Sequence, residues 1–184
     1  MSNTALTAPV DVVEFWKSAG PEKWFAKSDS FDAYFKARFL DAHYAAARRE
    51  LDDWMNTADG ALALIILLDQ LPRNTFRGTA HMFATDPLAL VLAYQAIEKG
   101  LHHQVEAELA PFILMPLMHS ESIEDQEKLI SLLDPVKQAN TLHHAIVHRD
   151  IIAKFGRFPH RNQCLGRITT PEEQAFLDDG GFSG

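Results

Sequence analysis

The sequence is poor in the features that most quickly assign a function. A single cysteine, Cys164, stands in 184 residues, which excludes an internal disulfide and a cysteine-rich zinc centre. Long hydrophobic runs are missing: the longest, residues 61–68, has eight residues, whereas a membrane-spanning helix needs about 20. The opening stretch has neither the basic start nor the apolar segment of a secretion signal. Positive charge is in deficit, with 17 Lys and Arg against 25 Asp and Glu, a net charge of −8 and a pI near 5.5. So acidic a chain repels phosphates, which argues against nucleic acid and anionic membranes as general ligands. No phosphate-cradling glycine loop, nucleophile elbow or dinucleotide fingerprint occurs. Alternation with period 2 is also lacking, so no sheet is expected. These absences describe a soluble, cytoplasmic protein without a metal or organic cofactor legible in its motifs.

What is present points to helices. Hydrophobic residues at 47% and charged residues at 23% suit one globular domain over residues 1–184 with a sizeable core. Residues 10–19 read as a first helix stopped by Gly20-Pro21. Phe31, Phe35 and Phe39 are four apart, which sets three rings on one helical face. Trp16, Trp24 and Phe25 read as core packing of the first helices. Thr57 caps a helix that is apolar nearly all round and is ended by Pro72. A buried strand over residues 64–68 is the alternative, and the Ala/Leu content favours helix. Asp86-Pro87 opens a helix, with Leu88, Val91 and Leu92 facing inward and Gly100 as its stop. Pro111 and Pro116 predict only short pieces between 101 and 121. Ser122 and Asp125 resemble a capping box, and Ile123, Ile130 and Leu133 are spaced for one face. Asp134-Pro135 opens the last long helix, with Val136, Ala139, Leu142, Ile146 and Ile152 as its stripe and Gly156 as its end. A loop of about 14 residues follows, long enough to suggest function. The Thr170-Pro171-Glu172-Glu173 capping box then starts a short helix. Seven or eight helices joined by short turns suggest stacked hairpins or an irregular bundle, an all-α fold with no sheet.

Two polar segments interrupt this pattern. In LLDQLPRNTFRG, Asp69, Gln70, Arg73, Asn74 and Arg77 fall within nine positions at the end of the buried helix. From 151 to 171 there is no acid, yet Lys154, Arg157, Arg161 and Arg167 occur with His160. An arginine fork grips carboxylate or phosphate at two points, and the helix start at Thr170 adds unpaired backbone N–H groups. The structural alternative is that Asp69, Glu121 and Asp150 neutralise these arginines and tie the loop down. Histidines form a third feature. His144 and His148 share a helical face, and His119 precedes Ser120-Glu121. Such groups serve as acid–base residues or as metal ligands, although no H-E-x-x-H occurs. Cys164 lies among cations and reads as an ordinary loop thiol.

The segments EFWK…WF, Phe31-Asp32, LALIILLDQLPRNTFRG, PLMHSE and IIAKFGRFPHRNQCLGRITTPEE together resemble the bacterial domain of unknown function 924 family, from about Val12 to Phe182. The resemblance implies a tetratricopeptide-like array of antiparallel helical hairpins and supplies no activity. The family's shared polar motifs fall here on Asp69, Gln70, Arg73, Asn74, Arg77, His119, Ser120, Glu121, His148, Gly156, Arg157, Phe158, Pro159, His160, Arg161, Asn162, Gly166 and Arg167. Cys164 is outside that pattern, and LHHQVEAELAPFILMPLM departs from the family's usual residues before His119. The expectation is that the three polar segments meet in one pocket for a small anionic ligand or a peptide carboxylate or phosphate. Arg73, Arg77, Arg157 and Arg161 would contact it, and Asp69, Asn74, Glu121 and Asn162 would orient them. The rival readings are a hydrolase using His119, His148 or His160, with or without a metal, and a protein-interaction module whose polar motifs are structural. Oligomeric state is not legible.

Overall fold

The computed structural model describes residues 7–182. The helices are α1 (Pro9–Ala19), α2 (Pro21–Trp24), α3 (Asp29–Ala47), α4 (Ala58–Ile65), α5 (Leu71–Thr75), α6 (Asp86–Glu98), α7 (Ala110–His119), α8 (Ile123–Leu132), α9 (Ala139–Phe155) and α10 (Pro171–Asp178), and no strand occurs among the described residues. The fold is all-α. No helix among the described residues is long and apolar enough to cross a membrane. The chain forms two compact units, residues 1–77 with 81–116 and residues 78–80 with 117–184.

In the first unit, Phe31, Phe35 and Phe39 of α3 are all buried. Phe15 of α1 stacks on Phe31 and Phe35 at 5.5 and 5.1 Å, and Trp16 meets Phe112 edge-on at 5.3 Å. Trp24 donates its ring N–H to the Trp16 carbonyl at 2.6 Å. Phe25 does not join this core: α2 has turned Trp24 inward, and the next ring is 69% exposed, lying over Phe112 at 6.1 Å. The Thr57 hydroxyl accepts from the Gly60 N–H at 3.1 Å, and every residue from Gly60 to Gln70 is buried. A Cβ at Gly60 would lie 2.0 Å from the Trp54 carbonyl oxygen, so the preceding 3-10 turn, Asp52–Asn56, packs on α4 as closely as backbone allows.

Pro72 does not end this helix. Residues Ile66–Gln70 form a π-turn between α4 and α5, and the Leu71 N–H reaches back five residues to the Ile66 carbonyl. An interior proline has no N–H and crowds the carbonyl four residues back; widening the turn removes that conflict. Three carbonyls of the turn accept from side chains. His43 Nδ1 donates to Leu67 O at 2.8 Å, Thr85 Oγ1 to Leu68 O, and Arg73 Nη1 to Asp69 O at 2.7 Å. Buried carbonyls need such partners. With its hydroxyl so engaged, Thr85 precedes α6 without capping it, and Asp86, expected as the cap, is the first helical residue. The inner face of α6 is Ala89, Leu92, Ala93 and Ala96, with Val91 48% exposed; small residues let the helix approach α4 closely.

Pro116 likewise lies inside α7 rather than breaking it. One lost backbone bond is offset by the burial of Phe112, Ile113, Leu114, Met115, Leu117 and Met118, each large apolar side chain being worth about 1.5–3 kcal/mol.

In the second unit, Ser122 caps α8 by accepting from the Asp125 N–H at 3.3 Å. The buried face is Gln126, Leu129 and Leu133, while Ile123 and Ile130 are half-buried. Gln126 is fully buried because its amide donates to the Met118 and Ser120 carbonyls at 2.7 and 2.8 Å. Asp134 opens a turn, accepting from the N–H groups of Val136 and Lys137 at 2.9 and 3.0 Å, and α9 begins only at Ala139. The inward face also differs from the expected stripe. Val136 is 85% exposed and Ile146 37%, while Ala145, His148, Ile151 and Ile152 are buried. Gly156 ends α9 with φ +68°. Ile151, Ile152 and Phe158 form the unit's core, with Ile123, Val147, Phe155, Phe176 and Phe182 around it.

Candidate functional site

Two groups of the sequence-predicted residues form, one in each unit. Asp69, Arg73, Asn74 and Arg77 belong to the first; His119, Glu121, His148, Arg157, His160, Arg161 and Asn162 belong to the second.

In the first unit the π-turn carries Asp69 and Gln70 into the interior, with Asp69 fully buried. Gln70 donates to the Asp69 carboxylate at 2.6 Å and to Met115 Sδ at 3.3 Å. Arg73 forms a two-point pair with Asp86, both bonds 2.8 Å, and lies 3.2 Å from the Asp69 carboxylate. Burial opposes its charge, and the carboxylates of Asp69 and Asp86 outweigh burial and raise its pKa. The Asp32 carboxylate accepts from Asn74 Nδ2 at 2.7 Å and from Arg77 Nε at 2.7 Å. Asp32 and Asp86 are the acids that complete these pairs. Asp86 was not legible as one, because its place beside proline reads as a cap. His43, fully buried, has its pKa lowered by burial.

In the second unit the motif arginines also meet carboxylates. Arg157 forks onto Glu173 at 2.6 and 2.8 Å and donates to the Ile168 carbonyl at 2.9 Å. Arg167 forks onto Glu121, both bonds 2.8 Å. Glu121 also accepts from the Phe158 N–H at 2.9 Å. Burial raises the Glu121 pKa, and the bonds from Arg167 and Phe158 outweigh it, so the net shift is downward. Asp150, expected to face this patch, instead pairs with Arg149 at 2.7 Å on the surface. The missed anchor is Glu173. It is 2% exposed and accepts from Arg157, from Asn162 Nδ2 at 3.1 Å and from the Thr170 N–H at 2.8 Å. Chiefly through Arg157, its carboxyl is held at about 2. Its signal was visible as the last residue of the Thr170 capping box, where it serves both helix and loop. Cys164 is a half-buried free thiol.

The histidines and Arg161 surround Phe158. His148 meets Phe158 and Phe182 edge-on at 5.5 and 4.5 Å; His160 meets the same two rings at 5.6 and 5.2 Å. The Arg161 guanidinium lies 4.5 Å over the Phe158 ring and donates to the His119 carbonyl at 2.9 Å. His148 Nδ1 donates to the His144 carbonyl at 2.8 Å. Burial, then repulsion from His119, His144 and Arg161, moves the His148 pKa to about 4 against that bond. Burial, Arg161 and His148 move His160 to about 3. Both imidazoles are therefore neutral at pH 7. His160 Nδ1 and Asn162 Oδ1 are buried with no hydrogen-bond partner among the described residues. Such atoms cost about 1–3 kcal/mol each when left unsatisfied.

No group of three or more His, Cys, Asp or Glu among the described residues could hold a metal ion. Two surface depressions are lined by none of the residues expected to contact a ligand or to act in catalysis. One, about 360 Å³, runs along α3 between Ala33 and Asp41. The other, about 300 Å³, lies in the second unit against Val147, Ile151, Phe155, Phe176 and Phe182, with Asp150 and Lys154 beside them.

The chain is similar to known proteins over nearly its whole length. The solved structure of the protein of unknown function ATU0120 from Agrobacterium tumefaciens has 53% sequence identity to it, with a TM-score of 0.90, covering 94% of this chain and 97% of that one. No curated protein matched. Residues 12–181 match the family model described as bacterial protein of unknown function (DUF924), and the chain belongs to that family.

Proposed function

We propose that the protein is a cytoplasmic, non-catalytic binding domain with a tetratricopeptide-like helical scaffold. Most of its motif arginines hold the fold together, and recognition falls to the histidine–arginine cluster around Phe158. The observation that carries this reading is the pairing of four motif arginines. Arg73, Arg77, Arg157 and Arg167 each reach a carboxylate of their own unit, Asp86, Asp32, Glu173 and Glu121. An arginine already forked onto a carboxylate would have to give up two charge-assisted bonds to grip a ligand. Arg161 belongs to the cluster by its place over the Phe158 ring and its bond to the His119 carbonyl. Its charge bears on His148 and His160, and the neighbouring Asn162 and His160 carry buried polar atoms without partners. A small anionic ligand or a peptide carboxylate suits that set, and the net charge of −8 speaks against nucleic acid.

A hydrolase using His119, His148 or His160 is less well supported. A general base works best with a pKa near the operating pH, and two of these imidazoles lie near 4 and 3.

The test is thermal unfolding with acetate, phosphate and phenylacetate at low and high salt. A true ligand at ten times its Kd stabilises by about 1.4 kcal/mol. At least one anion should raise Tm, the rise should shrink with salt, and Arg161→Gln should abolish it. Arg157→Lys should lower the starting Tm yet keep the response. A response that persists in Arg161→Gln, or none with any anion, refutes the reading.

A further inference from the structure

Along α9, Val147, Ile151 and Phe155 are four residues apart and share one helical face. With Phe176 of α10 they wall the depression of about 300 Å³ in the second unit. Val147, Phe155 and Phe176 are half-buried, and the rings of Phe155 and Phe176 lie 5.1 Å apart. Asp150 and Lys154 border the same depression. They too are four apart, so an acid and a base follow one edge of the apolar stripe. Each keeps capacity for another partner. The Asp150 side chain is 63% exposed and accepts from Arg149 through one oxygen. Lys154 is 53% exposed, and its distance to Glu172, 3.7 Å, is longer than a hydrogen bond. Its ammonium leans over the stripe, 4.8 Å from the centre of the Phe155 ring. Exposed pairs such as these are weak and exchange readily.

We propose that this face of the second unit pairs with a second copy of the chain, in a two-fold dimer built on α9 and Phe176. A two-fold interface is one patch meeting itself, and this patch is its own complement. An axis crossing α9 at the level of Ile152 sets a second α9 antiparallel to the first and keeps the charged edges of the two stripes side by side. Asp150 then comes level with Lys154 of the partner subunit, and Lys154 with Asp150 of the partner subunit. Val147 falls about 3 Å along the helix from Phe155 of the partner subunit, so the apolar side chains interleave. A patch for an acidic or a basic partner would carry one sign along its edge; an acid and a base placed evenly about one point suit a copy of the same helix. From Val147 to Phe155 the stripe rises about 12 Å. The interface is therefore small, in the class below about 1,200 Å² that holds transient pairs, and association is expected at high protein concentration.

Sedimentation velocity on the full chain from about 5 to about 500 μM, where a weak complex passes from dissociated to formed, measures the pairing. The sedimentation coefficient should rise with concentration toward that of a dimer. Asp150→Lys and Lys154→Asp, made separately, each turn both attractions into repulsions and should raise Kd about tenfold or more. Made together they exchange the two signs, restore both pairs across the axis and should bring association back. Within one copy the double exchange disturbs Arg149 and Glu172 as much as the single changes do, so a rescue reports the contact between copies. A chain that stays monomeric throughout leaves the depression to a different occupant and overturns the proposal. Association that a single reversal leaves unchanged, or that the double exchange fails to restore, overturns it as well.

Discussion

Glu173 is the most exposing place to test the argument about internal ion pairs. Glu173→Gln keeps the shape of the side chain and removes its charge. In the native protein that carboxylate accepts two bonds from Arg157, one from Asn162 and one from the Thr170 N–H, and it is 2% exposed. The amide has one acceptor where four donors converge, and its NH2 faces at least one of them. Breaking a buried pair by removing one partner costs about 3–5 kcal/mol. Arg157 retains some contact with water, so the lower end, about 3 kcal/mol, is expected. Each kcal/mol moves Tm by about 2–4 °C in a chain of this size, which gives a drop of about 6–12 °C. Urea denaturation and calorimetry at pH 7 measure it. The effect also depends on acidity. The folded carboxyl lies at about 2 against an ordinary 4.5, so its stabilisation is complete above 4.5 and fades as pH falls from there toward 2. The gap between the native chain and the variant should close over that window. A loss under about 1 kcal/mol, the worth of an exposed pair, or a gap that does not narrow in acid, would refute the view that Glu173 anchors the loop.

Further outcomes follow from the same geometry. Thr85→Val should cost about 1–3 kcal/mol by leaving the Leu68 carbonyl without its donor, and Thr85→Ser should recover most of it; equal stability of all three in urea would refute the account of the π-turn. Gly60→Ala places a Cβ against the Trp54 carbonyl and should cost about 3 kcal/mol in denaturation, where an ordinary helical position would gain from the change. His148 and His160 fold with pKa values near 4 and 3 against an ordinary 6.5. The unfolded chain therefore takes up protons first, and stability complete above 6.5 should erode as pH falls toward 4 and 3; an NMR titration that places both imidazoles near 6.5 would contradict this.

By itself the sequence determined what one or two turns of chain can decide. Thr57, Ser122 and Thr170 cap helices because a hydroxyl and the N–H it accepts from lie three residues apart. Gly100 and Gly156 end helices because they adopt positive φ at no steric cost. Phe31, Phe35 and Phe39 share a face because helical periodicity demands it. The residue types and segments of the candidate site were legible in the same way, as arginines and histidines out of keeping with an amphipathic pattern. Tertiary structure alone decided the partners. Pro72 reads as a stop until His43, Thr85 and Arg73, 24, 17 and 4 residues from the carbonyls they serve, stabilise the π-turn around it. Asp86 reads as a cap until Arg73 reaches it. The inward face of α9 differs from its expected stripe because the packing around Phe158 turns Ala145, His148, Ile151 and Ile152 inward. Caps and periodicity are set by neighbours in the chain. Which acid meets which arginine depends on where the chain returns in space, and no local spacing encodes that.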